Sequence, residues 1–273
     1  MAEVRLRTVD AFTDRPFTGN PAAVVMLDEM PSDEWMAAVA RETSVPDTAF
    51  VMREAVPDAD FRIRWFTPVE EVDLCGHATL ASAHCLLEDG VSGSIRFASR
   101  SGVLTVGRLE DGSLAMDFPA WPPTEIDARS AASVALGAAV EWTGQAHDGF
   151  FLLAVLAEER SVRDLIPDLA AIAGLDFSAV IVTAIAEPEQ SHHFVSRLFA
   201  PKVGIPEDPV TGSSHTVLGP FWADRLGRSA LVGLQASSRS GSVGVEVAGE
   251  RVIITGRAAT VLDGRFTPAA QPT

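Results

Sequence analysis

The chain has 273 residues, 47% of them hydrophobic and 21% charged, and its formal net charge is −16. This negative surplus argues against nucleic acid and anionic membranes as partners, because both require a basic face. No apolar run reaches the ~18 residues of a membrane span and no secretory signal is present, so we expect a cytoplasmic protein. The sequence contains no tyrosine and one lysine, Lys202, so Schiff-base chemistry would depend on that single lysine.

The first half of the chain begins with a predicted strand and continues with a short amphipathic helix over Pro31–Glu42, for which Ser32 is the N-cap. A strand with the pattern Arg64-x-Phe66 follows, and then an acidic loop that contains proline. The next segment, GHATLASAHCLLEDG, predicts a helix without a charged face before Glu88. A helix that is apolar all round is buried, so we expect this helix at the centre of its domain.

The segment Trp121–Ala139 contains adjacent prolines, which are typical of a connection between domains. The second half then repeats the order of the first, with Asp164–Leu175 in the place of the amphipathic helix. A strand with Arg197-x-Phe199 precedes an acidic proline loop and a second predicted helix, TGSSHTVLGPFWADRLG. Ser238–Gly241 repeats the Ser-Arg-Ser-Gly turn of the first half letter for letter.

Three markers in the same order predict an internal duplication. They are the Arg-x-Phe strand, the glycine before the helix and the Ser-Arg-Ser-Gly turn. Alternating strands around a buried helix predict, in each half, a curved sheet wrapped about a central helix. We therefore divide the chain into an N-terminal domain, 1–122, and a C-terminal domain, 123–273, leaving open a return of the last strand to the N-terminal domain.

Gly76 and Gly212 are each predicted to open a helix, where backbone N–H groups lack partners and the helix dipole is positive. Two such helix starts facing each other would bind a small carboxylate without lysine. The alternative is that each glycine only starts a helix, and spacing alone does not decide between the two. Glu207 and Asp208 beside the second helix start favour a functional site, because carboxylates next to an anion site otherwise weaken it.

The remaining reactive side chains indicate no metal site and no cofactor. Cys75 and Cys85 are too far apart on one helix for a disulfide. We interpret His84 and His215 as packing residues. His192 and His193 are adjacent on a predicted strand and would point to opposite faces, which makes them poor metal ligands. No dinucleotide fingerprint and no P-loop is present.

The motifs together resemble the PhzF family (phenazine-biosynthesis-like proteins) over almost the whole chain. The matching stretches are VDAFTDRPFTGNPAAVV, Phe66-Thr67-Pro68, Glu71–Thr79, Arg197–Pro201 and Glu207–Ser213. The resemblance implies an α+β, diaminopimelate-epimerase-like fold, with two pseudo-symmetric domains that are each a curved, mostly antiparallel β-barrel around a central helix. It also implies an active site in the cleft between the domains, a homodimer, and a cofactor-independent isomerase that moves a proton on a small carboxylate substrate.

The resemblance also assigns roles to residues. Asp47 stands where the family usually carries the glutamate that shuttles the proton, and His77 and Asp208 are its expected catalytic partners. Asn20, Gly76, Gly212 and Ser213 would bind the substrate carboxylate. Aspartate is one methylene shorter than glutamate, and general acid–base catalysis requires hydrogen-bond reach. A capping role for Asp47 beside Thr48 is the structural alternative.

Two other functions stay open at this point. A catalytically weak or silent relative would bind a small carboxylate without turnover. An epimerase or racemase would use Cys75, which stands at the first position of the cysteine pair found in relatives of this fold. Pro209 occupies the second position, so a two-thiol mechanism is incomplete, and we expect Cys75 to be mainly structural.

Overall fold

The computed structural model describes residues 4–56, 58–267 and 270. These residues form two compact units, of which the first runs to Asp117 and resumes at Thr255, and the second is Phe118–Ile254. The sequence places the first boundary after residue 122, five residues beyond the boundary in the structure. Each unit combines a mixed sheet with few helices, so the fold class is α+β. Among the described residues, no helix is both long enough and apolar enough to cross a membrane.

The first unit contains most of the first half of the chain and the last strand. Its strands are β1 Arg5–Ala11, β2 Asn20–Leu27, β3 Asp47–Val56, β4 Ala59–Phe66, β5 Glu71–Val72, β6 Ile95–Ser99, β7 Gly102–Arg108, most of β8 Leu114–Pro119, and β18 Ala258–Arg265. Its helices are α1 Asp33–Thr43 and α2 Gly76–Glu88. The last strand, β18, pairs antiparallel with β1.

The second unit has more helices, all of them short except one. Its strands are β9 Thr124–Glu125, β10 Trp142–Ala146, β11 Phe151–Val155, β12 Ala179–Ile185, β13 Phe194–Ala200, β14 Ile205–Asp208, β15 Ala230–Gln235, β16 Gly241–Ala248 and most of β17 Arg251–Gly256. Its helices are α3 Arg129–Leu136, α4 Glu159–Arg163, α5 Leu169–Ala173 and α6 His215–Leu226, and a 3₁₀ turn lies at Pro201–Val203.

The two units repeat one order of strand pairings. In the first unit, β1 is antiparallel to β2, β2 is parallel to β3, and β3 is antiparallel to β4. In the second unit, β10, β11, β12 and β13 follow the same sequence of orientations. In both, the fourth strand pairs antiparallel with a short strand and parallel with the strand after the long helix. The Ser-Arg-Ser-Gly turn then leads to the next antiparallel strand, so the repeated motifs occupy equivalent places in the two units.

The helices follow from the sequence features that predict them. Ser32 caps α1 by accepting a hydrogen bond from the Trp35 N–H, as a serine N-cap does. The apolar α2 is buried from His77 to Leu86 except at His84. It packs against five strands of its own unit, β1, β2, β3, β7 and β18. The sheet therefore surrounds α2, as the absence of a charged face predicts.

The structure explains the repeated Arg-x-Phe pattern by an arginine–glutamate fork in each unit. Arg64 donates to both carboxylate oxygens of Glu71, each at 2.7 Å, and Arg197 does the same to Glu207 at 2.7 and 2.9 Å. Each guanidinium also lies over the phenylalanine two residues later, at 5.3 Å in the first unit and 4.9 Å in the second. The bidentate geometry is the strong form of this ion pair. Glu207 therefore has a structural reason to precede the second helix start.

The two forks differ in their further partners, and this difference predicts different losses of stability. Arg197 also donates to the Leu165 carbonyl at 2.6 Å, whereas the further partner of Arg64 is the exposed Asp33 carboxylate at 2.8 Å, and Glu71 has Arg100 as a second cation at 2.7 Å. We expect Arg197→Met to lower the free energy of unfolding by about 1.5 kcal/mol, and Arg64→Met to lower it by about 0.5 kcal/mol. Urea unfolding of the two variants measures both losses, and equal losses would contradict the assigned difference.

Candidate active site

A carboxylate, an imidazole and a thiol meet at the start of α2. One oxygen of Asp47 lies 3.6 Å from Nε2 of His77, and Sγ of Cys75 lies 3.4 Å from Nδ1 of the same ring. The exposed fractions of the His77 and Asp47 side chains are 8% and 13%, and Cys75 is buried. The three side chains are therefore largely shielded from solvent, and a small molecule has only limited access to them.

Rigid elements hold each member of this cluster. Asp47 is the first residue of β3 and lies beside Ala22 of the parallel strand β2. Cys75 is the N-cap residue of α2, and its carbonyl oxygen accepts hydrogen bonds from both the N–H and the hydroxyl of Thr79. His77 is in the first turn of the same helix. Asp47 is thus not a capping residue, and its side chain faces His77 instead.

The start of α2 also offers backbone donors. In the described part of the chain, the N–H groups of Gly76 and His77 donate to no protein acceptor, because the first turn of a helix has none to offer. The dipole of α2 adds positive potential at the same place. Asn20 is fully buried at the first position of β2, two residues before Ala22, and side chains two residues apart on a strand share a face. The structure therefore places Asn20, Gly76 and His77 at the same end of this unit as Asp47.

One group of potential metal ligands lies at the start of α2. The sequence predicts no metal site because its histidines and cysteines form no compact motif. In the structure, the ligand atoms of Asp47, Cys75 and His77 all lie within 4.8 Å of one another, because β3 and α2 bring together residues that are far apart in sequence. The expectation that Cys75 is mainly structural stays a prediction, and its sulfur contacts the imidazole of His77.

The second unit arranges Asp208 at the end of β14. The hydroxyl of Thr211 donates to the Asp208 carboxylate. The fully buried Gln235 fixes this loop from both sides: its amide nitrogen donates to the Asp208 carbonyl at 2.8 Å, and its amide oxygen accepts from the Thr211 N–H at 2.9 Å. Gln235 is a positioning residue that no local pattern in the sequence identifies, because its partners lie in another part of the chain.

The start of α6 differs from the prediction. Gly212 does not open the helix, which begins at His215 with Ser214 as the N-cap residue. Gly212, Ser213 and Ser214 form a turn that leads into α6, because the N–H groups of His215 and Thr216 bond to carbonyls three residues earlier. Among the described residues, the N–H groups of Gly212 and Ser213 donate to no acceptor, so the turn still offers donors for an anion.

His215 is the most deeply buried titratable side chain near this turn. Its Nδ1 donates to the Thr211 carbonyl at 2.8 Å, and its Nε2 has no hydrogen-bond partner among the described residues. Burial lowers the pKa of His215 from 6.5 to about 4, and the bond to Thr211 opposes the shift only in part. The ring is therefore neutral at physiological pH and packs against Phe194, in agreement with its predicted packing role.

Other reactive side chains lie apart from these clusters. His192 and His193 precede β13 rather than lying on it, which corrects the predicted strand; His192 contacts Glu159, whereas His193 accepts from the Val232 N–H. His84 contacts Thr260 and Glu88. Lys202 is exposed, and its ammonium donates to the Leu175 carbonyl at 2.9 Å.

Comparison with known proteins gives one consistent result. Residues 9–264 match the family described as phenazine biosynthesis-like protein, PhzC-PhzF. A protein of Pseudomonas aeruginosa named as an uncharacterized isomerase is 47% identical over 264 residues, which cover 96% of this chain and 98% of the relative.

Solved structures agree with this match. The crystal structure of a PhzF-family protein from Enterococcus faecalis superposes with a TM-score of 0.91 at 38% identity, over 97% of this chain and 99% of that one. A hydroxyproline epimerase from Agrobacterium vitis superposes with a TM-score of 0.61 at 13% identity, over 98% of this chain and 94% of that one. The second similarity shows the fold alone.

Proposed function

We propose that the chain, which belongs to the phenazine biosynthesis-like (PhzC-PhzF) family and is similar to a protein named as an uncharacterized isomerase, is a cofactor-independent isomerase. In this proposal Asp47 removes a proton from carbon on a small carboxylate substrate and returns it to another position. The observation that carries the proposal is the largely buried Asp47 carboxylate at the start of α2, 3.6 Å from His77 Nε2.

The geometry supports Asp47 as the acid and base. The separation of 3.6 Å between His77 Nε2 and the Asp47 oxygen is longer than a hydrogen bond, so His77 does not donate a hydrogen bond to this carboxylate. In the described part of the chain, that side chain accepts no hydrogen bond from another protein group. Its oxygens are therefore available to a C–H bond of a ligand. Limited solvent exposure strengthens the electrostatic effect of any charge that develops beside it.

The surrounding donors support stabilisation of the intermediate. Removing a proton next to a carboxylate leaves negative charge on the substrate oxygens, and donors fixed in advance stabilise this charge most effectively. The N–H groups of Gly76 and His77 and the dipole of α2 supply such donors. The His77 imidazole can orient the substrate or pass a proton to and from Asp47.

The only lysine argues against a Schiff-base route. A catalytic lysine amine is usually desolvated, so that it is neutral and nucleophilic. Lys202 is instead exposed and bonded to a backbone carbonyl. Asp208 stays predicted to accept a hydrogen bond from an amino or hydroxyl group of the substrate, and Asn20, Gly76, Gly212 and Ser213 stay predicted to bind its carboxylate. The homodimer and the cytoplasmic location also stay predictions.

Two alternatives follow from particular observations. The Cys75 sulfur lies 3.4 Å from His77 Nδ1, which favours an epimerase in which this thiol carries one of two protons. Full activity after alkylation of the thiols would exclude it. The shorter aspartate in place of the family glutamate favours a silent relative, which would bind a small carboxylate without turnover.

Deuterium exchange tests the proposal on a whole class of candidate substrates at once. The protein is incubated in D₂O with a panel of small acids that carry a C–H bond next to a carboxylate or an allylic position. Mass spectrometry and proton NMR then detect incorporated deuterium. We expect exchange into at least one acid and conversion to an isomer of otherwise equal mass. A panel member that raises the melting temperature but never exchanges deuterium would instead support the silent relative.

A further inference from the structure

The Asp47, Cys75 and His77 cluster, hereafter the α2 cluster, contains three types of metal ligand. A carboxylate oxygen, a thiol sulfur and an imidazole nitrogen all lie within 4.8 Å of one another. Zinc binds these three donor types in proteins, and a site with three protein ligands leaves a fourth position open. A carboxylate and a thiolate would together supply two negative charges, which match a divalent cation.

Two of the distances within the cluster are close to those of tetrahedral coordination. His77 Nε2 lies 3.6 Å from the Asp47 oxygen, whereas the Cys75 sulfur lies 4.0 Å from Nε2 and 3.4 Å from Nδ1 of the same ring. Zinc bond lengths of about 2.0–2.3 Å with tetrahedral angles separate nitrogen from oxygen by about 3.4 Å and nitrogen from sulfur by about 3.6 Å. The observed separations exceed these values by a few tenths of an ångström, and coordination through Nε2 requires the Cys75 thiol or the His77 ring to rotate so that the sulfur faces Nε2.

The backbone of the cluster requires no rearrangement to bind an ion. Asp47 belongs to a strand paired on both sides, with Ala22 beside it and Thr48 opposite Phe66. Cys75 and His77 are fixed by the first turn of α2. Ligand sites on helices and strands are more precise than sites on loops. A metal ion also replaces the proton of a coordinating thiol, so Cys75 needs no other activation.

We propose that Asp47, Cys75 and His77 bind a thiophilic divalent cation of the zinc type, with the fourth position open to water or a carboxylate. Occupation of the α2 cluster would engage the Asp47 oxygens and hold the isomerase inactive. This second statement rests on the proposed function, whereas metal binding itself does not. The ion would thus compete with the proton transfer rather than assist it.

Cobalt is the probe for this site, because Co²⁺ takes zinc geometries and its thiolate complexes absorb light. The metal-free full-length protein is titrated with Co²⁺, and the thiolate-to-cobalt charge-transfer band is recorded. We expect saturation at one ion per chain and displacement by Zn²⁺. Cys75→Ser should abolish the band, and Asp47→Asn and His77→Gln should each weaken Co²⁺ binding at least about 10-fold, since even indirect partners of a metal ligand contribute that much.

The second cysteine provides a matched control. Cys85 is completely buried, and burial raises the pKa of its thiol to about 12, so Cys85→Ala should leave the cobalt band unchanged. No charge-transfer band in the native protein, or loss of the band in Cys85→Ala but not in Cys75→Ser, would overturn the proposal. Deuterium exchange by the metal-free protein is read separately. A charge-transfer band without deuterium exchange supports the metal site and contradicts the isomerase. Deuterium exchange without a charge-transfer band supports the isomerase and contradicts the metal site.

Discussion

Replacing Asp47 by asparagine should lower the rate of proton exchange into the substrate by about 10²- to 10⁴-fold, the usual contribution of a general acid or base. Asparagine keeps the shape of the side chain and its place on β3 but cannot accept a proton from carbon. The rate of deuterium incorporation from D₂O, measured on the acid that the native protein exchanges, gives the loss directly.

Two further variants show whether this loss is specific. Glu42→Gln removes an exposed carboxylate at the end of α1 and should leave the exchange rate unchanged. Asp47→Glu lengthens the side chain by one methylene and should exchange deuterium at least as fast as the native protein, because the longer side chain extends the reach of the base. If Asp47→Asn kept the native rate while its melting temperature was also unchanged, Asp47 would not be the shuttle.

The contribution of His215 to the free energy of unfolding should fall by about 2.5 kcal/mol as the pH is lowered from 7 to 4.5. Its pKa is about 4 in the folded protein, below the ordinary value of 6.5, because burial opposes the charged ring. As pH falls through 6.5, the unfolded chain binds a proton that the folded chain does not accept until about pH 4. The contribution of His215 is therefore fully present above pH 6.5 and is lost progressively below it.

The measurement compares the native protein with His215→Gln by urea unfolding at several pH values. Glutamine can donate to the Thr211 carbonyl but does not titrate, and carboxylates shared by both proteins cancel in the difference. We expect the native advantage in free energy of unfolding to shrink by about 2.5 kcal/mol from pH 7 to pH 4.5. A difference between the two proteins that stays constant over this range would show that His215 is not held neutral by burial.

Local patterns in the sequence predict much of the fold. The repeated markers predict two equivalent sets of strands, and the uncharged surface of α2 predicts its burial. The same patterns do not predict the forks, because Glu71 and Glu207 look like loop acids until β5 and β14 bring them within hydrogen-bonding distance of the arginines. The start of α6 is mispredicted because a glycine followed by small polar residues is typical of a turn as well as of a helix start. Gly212–Ser214 form such a turn, and the helix begins at His215.

The candidate site is predictable only in part. Asp47 and His77 are identified by motifs on either side of them, and the structure brings the two side chains together. The contact between Cys75 and His77 is missed because a single thiol without a partner thiol suggests packing, and the sequence does not show that the sulfur lies against the imidazole. Gln235 is missed for a similar reason, since hydrogen bonds between distant parts of the chain leave no local signal.

The most direct test of Asp47 as the proton shuttle is a structure of this protein with the exchanged carboxylate bound. The distance from the Asp47 oxygens to the carbon that exchanges its proton is the deciding quantity. We predict a separation of about 3–3.5 Å, as expected for groups poised to react, with the substrate carboxylate against the N–H groups of Gly76 and His77. A ligand carbon closer to the Cys75 sulfur than to Asp47, or a carboxylate bound away from α2, would contradict the proposed mechanism.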